Sequence, residues 1–215
     1  MRFQPGINED LAATLLWGAQ MLEVFPGRRV EGVFGLWYGK GPGVDRSGDA
    51  FRHANAFGTH AKGGVLAVAG DDHAAQSSVL PHQSDQIFEA AMIPLLHPAS
   101  VQDILDLGLA GIAMSRFSGL WVGLKTVAET VEAAATVVVP SARRFVRPDL
   151  AAPPWGFNLD PRLRWPEQRA ELERRVIAER LPAALAFARA NALDRVVFGA
   201  PRGADRPCHL RQGAS

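Results

Sequence analysis

A chain of 215 residues, 47% apolar and 21% charged, has the composition of a globular protein of one domain, or one domain with an appendage. Lys and Arg outnumber Asp and Glu by one, 23 against 22, which leaves no electrostatic footprint for nucleic acid or a membrane surface. The single cysteine, Cys208, excludes an internal disulfide and an internally ligated iron–sulfur cluster; no apolar run approaches the roughly 20 residues of a membrane span and no signal-peptide core opens the chain, so a cytoplasmic location is expected.

Asn8 is a candidate N-cap, with Glu9 and Asp10 at the positive end of the dipole of a helix. Its apolar residues Leu11, Leu15, Leu22, Val24 and Phe25 run to a stop at Pro26-Gly27. Little charge follows Asp10, which predicts burial on more than one side and leaves Glu9 as a carboxylate on the lip of an apolar helix. Taken alone, an acid in a first turn needs no role beyond complementing the dipole. A β-rich run over 30–38 leads into Gly39-Lys40-Gly41-Pro42-Gly43, too glycine-rich to predict strand or helix. That loop lacks the Gly-Lys-Ser/Thr ending of a Walker phosphate loop. A helix is expected from about 44 to 55, stopped by Gly58.

Residues 64–69 form an uncharged apolar run that reads as a strand of a parallel sheet covered on both faces. After Gly70 the chain opens into Asp71, Asp72, His73, Ser77, Ser78, His82, Gln83 and Asp85. A polar loop at the carboxyl end of a buried strand is where open α/β sheets place their sites, although aspartates and serines here could equally brace the turn or cap the next segment.

A short helix is predicted over 85–92 and a brief strand over 93–96. Ser100 caps a long helix towards Arg116, with Val101, Ile104, Leu105, Leu109 and Ile112 as its apolar face. Residues 121–124 read as strand and 126–135 as helix. From Pro140 the chain turns rich in proline and arginine without a clear period, an extended linker; 167–191 is helical with a break at Pro182, 195–199 resembles one more strand, and the tail from 201 is expected to be disordered. The order of elements is α/β with crossovers, divided at about 1–140, 141–200 and 201–215.

These residues leave several chemistries open. Asp71, Asp72, His73 and His82 are metal-ligand types, but their spacing matches no standard zinc pattern. The serines lack the G-x-S-x-G elbow of a serine hydrolase. Proton transfer by Glu9 is the third possibility.

Three runs in one order, GINEDLAATLLWGAQ, GLWYGKGPGVDRSGD followed by HAN, and GGVLAVAGDDHAAQSSVLPHQSD, resemble the thiamine-diphosphate-dependent 2-oxoacid:ferredoxin oxidoreductases, closest to the fused indolepyruvate type. The resemblance implies the aminopyrimidine-binding (PYR) domain of that family, an α/β sandwich around a parallel sheet. By match to the Asn-Glu-Asp motif, Glu9 would contact N1′ of the aminopyrimidine ring and share the proton that activates the cofactor. The resemblance makes Asp72, His73, Ser77 and Ser78 further cofactor-lining residues and Lys40, His82 and Gln83 substrate-lining ones, without individual roles.

The family's glycine-rich YRGSPLGG-like segment and the G-D-G…N motif of its diphosphate domain do not occur in the chain. The resemblance therefore implies a piece of a larger enzyme. Mg²⁺ and the diphosphate would be held by another domain or chain, iron–sulfur clusters by partner domains, and ferredoxin would accept the electrons. A homo- or hetero-oligomer is expected, because loss of a preceding strand and helix would expose a sheet edge. The alternatives are a non-catalytic remnant or interaction module that keeps the fold and, further off, a metal-dependent hydrolase.

Overall fold

The structure, a computed structural model, describes residues 2–139, 141–163 and 168–194. Four strands, β1 (Phe34–Lys40), β2 (Gly64–Asp71), β3 (Leu95–Leu96) and β4 (Val122–Val127), form one sheet in the order β1-β2-β4-β3 with every pairing parallel. The uncharged run of β2 lies inside this sheet and is buried along most of its length, the pattern expected of a strand covered on both faces. The chain is α/β, a parallel sheet flanked by helices.

Alternation along the strands sorts side chains to two cores. Trp37, Val65, Ala67 and Ala69 face α1 (Glu9–Gln20) and α3 (Gly48–Phe57), where Phe51 meets Trp37 edge-on at 5.0 Å and stacks near Phe88 and Trp121. Leu66, Val122 and Leu124 face α5 (Val101–Ser118). Gly35 of β1 lies under α1, where a Cβ would come within 2.8 Å of the Leu16 side chain. Gly111 of α5 allows the same close approach over Leu66.

Two caps form as the sequence predicts. The Asn8 side chain accepts from Leu11 N at 3.0 Å, and Ser100 Oγ accepts from Asp103 N at 3.1 Å. Several boundaries differ. Helix α1 ends at Gln20, before the expected Pro26-Gly27 stop, and its burial is one-sided: Leu11 and Leu15 are half exposed. The 39–43 stretch is regular structure after all. Gly39 and Lys40 finish β1, and α2 (Gly41–Arg46) starts at once because Pro42 occupies a first-turn position that needs no N–H donor. Strand β4 continues through Thr126 and Val127, so only the four-residue α6 (Ala128–Val131) remains of the helix expected over 126–135. The short helix after the polar loop, α4, spans Asp85–Ala90.

Residues 141–163 carry no strand or helix beyond turns. Beyond them α7 (Arg169–Arg175) passes through a π turn at Val176–Arg180 into α8 (Leu181–Ala190), with Pro182 in the first turn of α8. Val176, Ala184 and Phe187 share the core of α5. The Arg180 guanidinium is fully buried and donates to the carbonyls of Asn55, Ala56 and Phe57 at the end of α3 and of Phe157 and Asn158. The strand expected over 195–199 and the tail from 201 lie outside the described residues.

Candidate functional site

Because the strands are parallel, Lys40, Asp71 and Val127 end β1, β2 and β4 at one edge of the sheet. Helix α2 follows β1 directly, and α1 is drawn to the same edge: Trp37 Nε1 donates to Glu9 O at 3.0 Å, and Arg46 of α2 pairs with Asp10 at 3.0 Å. The partly buried Glu9 side chain lies on the backbone of Gly43. A Cβ on Gly43 would stand 2.7 Å from Glu9 Cγ and 3.3 Å from Oε1, so the carboxyl sits at the mouth of the sheet on a cradle that glycine keeps open.

The loop over 72–83 rises from the end of β2 and returns to α4, and a buried ion cluster closes its neck. Asp71 Oδ2 accepts from Ser84 N at 2.8 Å and Ser84 Oγ at 3.0 Å. Lys125, buried on β4, places Nζ 3.4 Å from Asp71 and in contact with Asp85 at the start of α4, and His97 approaches Asp85 at 3.4 Å. Burial opposes ionisation of Asp85, yet the Lys125 hydrogen bond and charge outweigh it and hold its carboxyl below the usual range. Burial pushes the His97 imidazole below its ordinary value despite Asp85 beside it.

Within the loop, His82 is the hinge of the polar contacts. Its Nε2 lies 2.8 Å from Asp45 Oδ2 and its Nδ1 3.6 Å from Asp71 Oδ1, while the ring covers Gly41 so closely that a Cβ there would overlap it. Asp72 Oδ2 accepts from Ser77 N at 2.6 Å, and the backbone N–H groups of Ser77 and Gln76 lower its pKa. Lys40 Nζ donates to Ser77 O at 2.8 Å, tying the end of β1 to the loop. Asp71 Oδ1 and Asp72 Oδ1 are buried with no hydrogen-bond partner.

Of the residues singled out in the sequence, Lys40, Asp72 and His82 are thus drawn into one network of strand ends, α2 and loop, and the Glu9 side chain lies on α2 at Gly43. Ser77 joins it through its backbone and through its side chain at Asp72, whereas the side chains of His73, Ser78 and Gln83 make no hydrogen bond among the described residues. Sequence patterns alone do not mark Lys125, Asp45 or His97. A lone lysine inside the apolar run Val122-Gly123-Leu124-Lys125 is the signal that could have found the first of them, since a charge on a buried strand requires a partner.

Chemically, the mouth offers the partly buried Glu9 carboxyl and the exposed ammonium of Lys40, whereas the unpaired oxygens of Asp71 and Asp72 are enclosed by the protein. The Glu9 carboxyl and the Lys40 ammonium suit a ligand that presents N–H donors on one side and an anion on another. Among the described residues no group of three or more His, Cys, Asp or Glu could hold a metal ion, and no helix is long and apolar enough to cross a membrane. A cleft of about 270 Å³ lies elsewhere, near the amino ends of the strands, between Glu23, His60 and residues 154–162. Comparison of the chain with protein-family models, with curated proteins and with solved structures finds no match.

Proposed function

We propose that this domain is of the PYR type and supplies the aminopyrimidine half of a thiamine diphosphate site in an indolepyruvate-type 2-oxoacid:ferredoxin oxidoreductase. The observation that carries the reading is the Glu9 carboxyl lying on Gly43 of α2, the helix whose Gly41 and Asp45 meet His82 of the polar loop. Thiamine diphosphate, when bound, supplies the electron sink for decarboxylating a 2-oxoacid.

The donor set of the chain suits the aminopyrimidine. The Glu9 carboxyl would share a proton with N1′ of the bound ring, while the unpaired oxygens of Asp71 and Asp72 are enclosed by the protein and keep the floor of the loop acidic. His73, Ser77 and Ser78 line the cofactor side of the loop, while Lys40, His82 and Gln83 face the 2-oxoacid, with the Lys40 ammonium attracting its carboxylate. Diphosphate and Mg²⁺ belong to a further domain or chain of the same enzyme, iron–sulfur clusters to partner domains, and electrons pass on to ferredoxin.

Calorimetric titration with the isolated aminopyrimidine alcohol, the cofactor fragment without diphosphate, tests this division. Wild-type chain should bind it weakly, and Glu9→Gln should weaken binding about tenfold, the equivalent of about 1.4 kcal/mol. Gly43→Ala, which pushes the Glu9 side chain off its cradle, should act in the same direction. Equal affinity of wild type and Glu9→Gln removes Glu9 from the site.

A further inference from the structure

Among the described residues, strand β1 is an edge of the sheet. Among the described residues nothing pairs with its outer side, and residues 34–39 carry no charge, proline or bulge to discourage pairing. Its alternate side chains differ sharply in cover. Gly35 and Trp37 are buried under α1 and α3, whereas Phe34, Leu36 and Tyr38 stand 50%, 38% and 63% exposed on the face that α5 covers over β2 and β4.

We propose that this edge is the interface between two copies of this chain, joined β1 to β1 by a two-fold axis through Leu36. A two-fold axis pairs an edge with itself antiparallel, and residues directly opposite must lie on the same face. Only pairings whose two residue numbers sum to an even number satisfy that condition. Among these, the register centred on Leu36 sets Leu36 against Leu36 and each Phe34 against Tyr38 of the other copy. The sequence of exposed side chains, aromatic, leucine, aromatic, is its own reverse, so one strand supplies both halves of the match. Aromatic cross-strand pairs are among the favourable ones. The result is a continuous eight-stranded sheet with no exposed β1 edge.

The area argues for a modest affinity. The exposed parts of these three side chains amount to on the order of 400 Å² per copy, about half of what a standard interface takes from each partner. An interface of that size belongs to the weak, transient class, so the dimer forms as concentration rises. It is independent of the strand-end site, because it involves the side of β1 rather than its end.

Sedimentation velocity from about 1 to 200 µM spans that range, and the chain should pass from monomer to dimer across it. Leu36→Lys sets two ammonium groups face to face on the axis and should weaken the dimer by about thirtyfold or more with an unchanged circular dichroism spectrum. Disulfide trapping then reads the register, in a Cys208→Ser background. Leu36→Cys should link two copies, since opposed Cα atoms in an antiparallel pair lie within disulfide range. Phe34→Cys alone should not link, while Phe34→Cys combined with Tyr38→Cys should. A monomer at every concentration, a dimer unaffected by Leu36→Lys, or equal trapping by Leu36→Cys and Phe34→Cys overturns the proposal.

Discussion

Lys125 sits between Asp71 and Asp85 with almost no exposure, and the two carboxylates are the start and end of the loop neck. Replacing it with Met keeps the length of the side chain but leaves two acids without their cation. Removing one partner of a buried ion cluster costs about 3–5 kcal/mol, so urea unfolding of Lys125→Met should show a loss of that size. The neighbouring His97 gives the site a pH dependence of known sign. Its folded pKa lies below its ordinary 6.5, so the neutral ring is the stable form, and the stabilisation is complete above that value. It is lost as pH falls through the lowered value, and Asp85 and Asp72, whose pKa values are also lowered, add further loss at more acid pH. Thermal melting between about pH 7 and 5 should therefore show a falling midpoint in wild type, and His97→Gln should remove that part of the slope. An unchanged slope in His97→Gln would contradict the assignment of the step to this imidazole.

Between elements, Arg180 does what no apolar residue could. It reaches from the π turn to the carboxyl end of α3, where Asn55, Ala56 and Phe57 leave carbonyls that the helix itself cannot satisfy. Burial lowers its pKa to about 9, yet the guanidinium remains charged at neutral pH and is compensated by oxygen dipoles. Gly58 makes room, since a Cβ there would come 2.7 Å from the guanidinium carbon, and its φ of +89° suits glycine at the helix end. Arg180→Met should cost about 2–4 kcal/mol by leaving several buried carbonyls unpaired, measured as a drop in the urea midpoint. A change within a few tenths would show that the carbonyls find other donors.

How much of each element is legible in the sequence depends on how local its signal is. The uncharged run of β2 and the side-chain caps at Asn8 and Ser100 depend on neighbours within a few residues, and they appear as expected. The end of β4 does not. Lys125 and Thr126 look like exits from a strand, but Lys125 is neutralised by Asp71 and Asp85 from elsewhere in the chain, and Thr126 Oγ1 donates to Ala69 O on the next strand. The glycines of α2 mislead in the same way, because they are there to admit His82 and Glu9 rather than to form a loop. The site is legible in part: motif resemblance points to Glu9, Lys40, Asp72 and His82, while the ion cluster beneath them depends on strand pairing that no local pattern reveals.

At the scale of the whole molecule, a parallel sheet gathers the ends of β1, β2 and β4 at one edge, and α1, α2 and the 72–83 loop close over it. The remaining helices brace that edge from behind: α8 and α5 share a core, and Arg180 ties the π turn to α3. We propose that this end of the sheet presents one carboxyl, that of Glu9, to the aminopyrimidine ring of thiamine. The most direct measurement is the NMR shift of isotope-labelled N1′ in the aminopyrimidine alcohol at saturation with the chain. The account predicts a shift towards the protonated ring with wild type that disappears with Glu9→Gln, whereas a bound ring whose N1′ resonance is the same with both proteins would contradict it.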